Sequence, residues 1–184
     1  MKIVTKIALG LLTVVIIIAS YLLYGTFVNP KSPRDTVTLV QEDLTLEVDY
    51  SQPFKKDRLI FGNAADGALV PFGTYWRLGA NFATTFETNK EISFAGRSLA
   101  AGKYRVYAVP EEDHWVITLN SEFAGFAGFG AIDPDYEKDI MSVNIASAQL
   151  MTAVEQFTID FVEGDDSLSL RFRWDTTSVS LPIN

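Results

Sequence analysis

The chain has 184 residues, with 15 Lys plus Arg, 23 Asp plus Glu, one His and no Cys. The length suits one domain or one domain with a short appendage, and 48% hydrophobic against 21% charged residues argues against intrinsic disorder. The absence of cysteine excludes a disulfide framework and a cysteine zinc site, and a single imidazole excludes a multi-histidine metal centre.

The first thirty residues predict a membrane anchor. Lys2 and Lys6 precede an uncharged stretch, Ile7 to Val28, dominated by Leu, Ile and Val. A helix over it, at about 1.5 Å per residue, reaches roughly 33 Å, enough to cross a hydrocarbon core. A cleaved signal peptide would have a shorter apolar region of about 7–15 residues and a small-x-small site. Ile18-Ala19-Ser20 is a poor version of that site, so an uncleaved single-pass anchor over residues 1–30 is expected, with the lipid bilayer as partner of residues 7–28. Tyr21 and Tyr24 suit the far interface. Lys31 and Arg34 balance Lys2 and Lys6, so the positive-inside rule says little; the N-terminus is taken as cytoplasmic and the domain as periplasmic or otherwise extracytoplasmic.

Residues 31–184 are expected to form a single domain. Removing Lys2 and Lys6 leaves 13 basic against 23 acidic residues, a net charge of about −10. That surface repels phosphate backbones, so no nucleic-acid partner is expected. Period-two alternation recurs, as in strands with one buried face. Val37 and Leu39, then Leu44, Leu46, Val48 and Tyr50, flank the polar turn Gln41-Glu42-Asp43. Tyr104, Val106 and Ala108 alternate with Lys103, Arg105 and Tyr107, and after Pro110 to Asp113 the pattern resumes in Trp115, Ile117 and Leu119, which predicts a hairpin. Phe157, Ile159 and Phe161 lead through residues 163–166 into Leu168, Leu170, Phe172 and Trp174, whose neighbours Ser169, Arg171 and Arg173 are expected to face water. A further strand carries Val179, Leu181 and Ile183; Ile92 to Phe94 and Met141 to Ile145 are shorter candidates; Ser147 to Gln156 can hold a helical turn. About ten short strands imply an all-β, antiparallel β-sandwich of jelly-roll-like topology.

Two segments resist strand assignment. Pro53 to Asn81 is rich in Gly, Ala and aromatics, and Phe123, Phe126 and Phe129 recur every third residue between glycines. Long loops in compact domains are often functional. In the first, Trp76-Arg77-Leu78-Gly79-Ala80-Asn81 combines a flat apolar face, a planar fork of donors and an amide. Together with Tyr50 and Arg58, the residues Trp76, Arg77 and Asn81 are therefore candidates for gripping a small anionic or carbohydrate ligand. The alternative is that Arg77 and Asn81 satisfy loop carbonyls and pin a turn.

These residues also carry a resemblance. Ser32-Pro33, Tyr50-Ser51-x-Pro53, Arg58-x-Ile60-Phe61-Gly62, Val70-Pro71-Phe72-Gly73, Trp76-Arg77-x-Gly79-Ala80-Asn81, Ala101-Gly102-x-Tyr104 and Trp115-x-Ile117 resemble the bacterial family catalogued as domain of unknown function 2911, over nearly all of residues 32–184. The resemblance implies export and one domain, without supplying chemistry. Gln52 stands where the family pattern has Arg, which weakens a two-arginine anion site, and Asn63 to Leu69 look inserted.

No catalytic residue is assigned. His114 is expected on an exposed hairpin turn rather than in a Ser-His-Asp triad. The carboxylate runs Asp133, Asp135, Asp139 and Glu163, Asp165, Asp166 lack a calcium loop's glycine and terminal glutamate. No metal or cofactor is therefore expected. The expected role is a non-catalytic binding or structural module of the cell envelope. The alternative is an enzyme in which Arg77 holds a substrate anion and Asp57 or Asp66 is the base; the Phe123, Phe126 and Phe129 loop as an apolar contact is a third reading.

Overall fold

Strand-like alternation governs most of the chain after residue 33, and a computed structural model describes residues 2–28, 30–122, 133–164 and 167–184. The Phe123, Phe126 and Phe129 reading lies outside the described residues. Two compact units divide the chain, Met1–Pro33 and Arg34–Asn184.

In the first unit the apolar run forms α1 (Lys2–Leu23), followed by one turn of π-helix, Tyr24–Val28. Within α1 the stretch Val4–Tyr21 has a mean hydropathy of 2.1 and none of its described residues is buried, so by length and composition this helix can cross a membrane.

The second unit is antiparallel sheet. β1 (Arg34–Gln41) and β2 (Leu44–Ser51) make a hairpin that pairs Gln41 with Leu44 and turns through Glu42 in a left-handed conformation, φ 53°. β3 (Phe61–Gly62) and β4 (Val70–Pro71) form a small parallel pair inside the long loop. There follow β5 (Thr84–Thr88), β6 (Ile92–Phe94), β7 (Arg97–Leu99), β8 (Gly102–Pro110), β9 (His114–Asn120), β10 (Asp139–Gly164) and β11 (Ser167–Ile183). The main sheet runs β1-β2-β5-β8-β9-β10-β11-β6-β7. It folds over into two layers, because β10 pairs with β9 through Asp139 to Ala146 and with β11 from Ser147 onward. Side chains meet across the fold: Phe86 of β5 packs edge-on to Phe94 of β6 at 5.4 Å, and Trp115 of β9 lies 6.2 Å from Phe172 of β11.

The core alternates as the period-two pattern dictates. Leu46, Val48 and Tyr50 of β2, Ile117 and Leu119 of β9, and Ile159, Leu170 and Phe172 of the second layer are all buried. Two strand assignments and the exposure of two arginines depart from the sequence reading. Ser147 to Gln156 is not helical but part of β10, and the strands expected around Phe172 and Leu181 are one, β11. Between the pairs Gln149–Thr177 and Thr158–Arg173 the register slips twice, at Val154–Asp175, where Asp175 adopts φ 51°. The displaced β10 backbone finds other partners: Lys55 N–H donates to the Glu155 carbonyl at 2.6 Å and Phe157 N–H to that of Pro53 at 2.9 Å. The long loop thus completes the ladder where β11 leaves it, as buried backbone groups require. Arg171 and Arg173 are half-buried rather than wholly in water, and both donate to Asp160.

Candidate functional site

Trp76 enters the domain through a backbone bridge to Ala108, N–H to carbonyl both ways at 2.8 and 2.9 Å. Its indole is buried at the centre of the aromatic core, stacked on Trp174 at 5.8 Å and edge-on to Trp115 at 5.4 Å and Phe61 at 5.5 Å. The flat face expected for a ligand is therefore taken up by other rings. The chain then turns through Leu78 (φ 54°), Gly79 (φ 146°) and Asn81 (φ 60°). The motif's donors serve this turn. Trp76 Nε1 donates to the Gly79 carbonyl at 3.2 Å, Arg77 Nη1 to the Asn81 carbonyl at 3.3 Å, and Thr84 Oγ1 to the Leu78 carbonyl at 2.6 Å.

Tyr50 is also interior. Its hydroxyl accepts from Ile159 N–H at 3.0 Å and from Gln52 Nε2 at 2.8 Å, and donates to the Ile159 carbonyl at 3.3 Å. Arg58 is exposed, with Nε donating to the Lys55 carbonyl at 2.9 Å and Nη2 to that of Phe54. Arg58 and Arg77 are thus turn clamps of the same kind, each reaching carbonyls three or four residues away. Asn81 is exposed. None of Tyr50, Arg58, Trp76, Arg77 and Asn81 lines the three concavities described.

Asp57 and Asp66 lie on exposed turns, Asp66 accepting from Asn63 at 3.2 Å, and neither is joined to Arg77 by a described hydrogen bond or ion pair. His114 Nδ1 lies 2.7 Å from its neighbour Asp113. Among the described residues no group of three His, Asp or Glu is placed to hold a metal ion.

The same long loop does build a concavity, with other residues. Leu59, Phe61 and Phe72 form one wall, the β8–β9 hairpin supplies Glu111, Glu112 and Trp115, and the β10–β11 slip supplies Gln149, Asp175, Thr176 and Thr177. The cavity measures about 160 Å³. Gly73 N–H donates to the Pro110 carbonyl at 2.9 Å, which fastens the loop to the hairpin, and Lys55 pairs with Asp175 at 2.7 Å, which fastens it to the slipped strands. Three segments distant in sequence meet here, and no local spacing could have revealed it. The available signal was the pair of aromatics set against glycines, Phe61-Gly62 and Phe72-Gly73.

A second polar cluster was also missed. The outer face of β8 and β9 is buried at Arg105, Tyr107, Thr118 and Asn120, so these strands are covered on both sides. Arg105 Nη2 donates to the Tyr75 hydroxyl at 2.6 Å, and Asp139 accepts from the Tyr107 hydroxyl at 2.6 Å and from Asn120 Nδ2 at 2.8 Å. Burial first, and then the hydrogen bond to Asp139, hold the Tyr107 phenol well above its ordinary range. These three side-chain bonds stay within the cluster, and those to Asp139 tie β8 and β9 to the start of β10.

The chain belongs to the family described as protein of unknown function (DUF2911), whose model matches residues 32–183. No curated protein and no solved structure matches it.

Proposed function

We propose that this chain is a membrane-tethered envelope protein whose sheet domain is a non-catalytic binding module, held outside the cytoplasm by residues 7–28. The apolar helix α1 supports the tether. The observation that carries the binding role is the concavity walled by Phe61, Phe72 and Trp115, framed by polar groups of the hairpin and of the slipped strands. Binding sites are typically apolar hollows with a few convergent polar groups, and this one is fastened on two sides. The Trp-Arg-x-Gly-Ala-Asn element supports the site from behind: Trp76 packs on both Phe61 and Trp115, while Arg77 holds the turn that delivers it.

The test is a panel of small ligands, comprising alkylamines, short carboxylates and neutral methyl glycosides, titrated into the full chain in a non-ionic detergent. Saturable binding that Phe72→Ala weakens at least fivefold supports the reading; a panel without a binder contradicts it. Protease added to spheroplasts, in which the cytoplasmic membrane alone encloses the cell, should digest the sheet domain while α1 stays in the membrane fraction. A domain protected until the cells are opened would place it in the cytoplasm.

A further inference from the structure

The two sides of the cavity differ in how their charges are matched. Asp175 is neutralised by Lys55 at 2.7 Å. Glu111 and Glu112, on the hairpin rim, have no described ion pair or side-chain hydrogen bond, and neither is among the residues with a further partner. Glu111 is nevertheless half-buried, and with Glu112 and Asp113 it places three carboxylates in succession at the hairpin tip. Asp113 is partnered by His114 at 2.7 Å, which leaves Glu111 and Glu112 as the tip carboxylates without a described partner, and a cation lodged beside them is attracted by both. Phe61 and Phe72, both partly exposed in the lining, offer apolar contact to the alkyl part of such a cation, whereas the Trp115 ring is buried behind them. An anion would meet the Glu111 and Glu112 carboxylates with nothing in the rim to balance them.

Size narrows the choice. A dry cavity of roughly 150 Å³ admits a benzene-sized guest, and this one measures about 160 Å³. It therefore accepts one short alkyl chain with its head group, and is small for an oligosaccharide. Resting on the binding-module reading above, we infer that the concavity binds a small organic ammonium ion. The charged head lies between Glu111 and Glu112, and the alkyl part lies against Phe61 and Phe72. The same chemistry is offered by a free alkylamine and by a lysine side chain on a protein partner.

The experiment titrates full-length protein in a non-ionic detergent, at constant ionic strength, with butylammonium chloride, 1-butanol, a neutral methyl glycoside and an end-blocked Gly-Lys-Gly peptide, read by NMR shifts of the indole N–H signals. Butylammonium binding at least tenfold tighter than butanol, and weakened at least tenfold by the double variant Glu111→Gln/Glu112→Gln at unchanged melting temperature, supports the proposal. Tighter binding of the peptide then assigns the ammonium to a partner's lysine, and equal or weaker binding to a free amine. Butanol or the glycoside binding as well as butylammonium, or indifference of binding to the double variant, overturns the ammonium assignment and leaves the binding module standing. Binding of none of the four overturns both.

Discussion

Gly79 passes so close to Ser51 that a methyl group on its Cα would stand 2.6 Å from the Ser51 carbonyl oxygen. Its φ of 146° is also one that residues with a side chain rarely adopt. Gly79→Ala should therefore cost about 2–4 kcal/mol, since the backbone must shift as well as strain. Urea denaturation monitored by tryptophan fluorescence measures it, and a loss under about 0.5 kcal/mol would mean that the turn and β2 are not in contact.

Neighbouring residues of one motif should differ several-fold in their effect on stability. Trp76 fills the core between Trp115 and Trp174, so Trp76→Ala should cost about 3–5 kcal/mol. Arg77 offers one hydrogen bond from a partly exposed guanidinium, so Arg77→Ala should cost only about 0.5–1.5 kcal/mol. Equal losses would show that the arginine supports more than its own turn.

Alkaline pH should unfold the domain through its buried phenols. Burial raises the pKa of both Tyr50 and Tyr107 above the ordinary 10.0. Below about pH 10 both are neutral in the folded and unfolded chain, and their contribution to stability is complete. Above it the unfolded chain loses these protons first, so stability falls with rising pH, by up to about 1.4 kcal/mol per pH unit for each tyrosine. Tyr107→Phe should flatten that decline in denaturation curves taken between about pH 9 and 11. An unchanged slope would mean that Tyr107 ionises as freely in the folded domain as outside it.

The hairpins were legible in the sequence because each rests on local alternation and a polar turn: β1–β2 through Glu42 and Asp43, β8–β9 through Glu111 to Asp113. What was hidden depends on contacts distant along the chain. Ser147 to Gln156 has no clear alternation because part of it pairs with Phe54 and Lys55, about a hundred residues away, instead of with β11. Trp76 looked presented because a loop has no period to say which way a ring points; its burial follows from the bridge to Ala108. The loop does line a cavity, through Phe61 and Phe72 and not through the arginine. Tyr107 and Arg105 stand on the face opposite the core, where alternation alone predicts water, and Tyr75 and Asp139 cover them.

The central claim is that the motif's arginine holds the turn while the neighbouring cavity holds the ligand. The most direct test is the affinity of Arg77→Ala for butylammonium, measured beside its melting temperature. The account predicts an affinity within about twofold of the parent and a melting temperature lower by roughly 2–6 °C. Loss of binding at an unchanged melting temperature would contradict it, by making Arg77 a ligand contact.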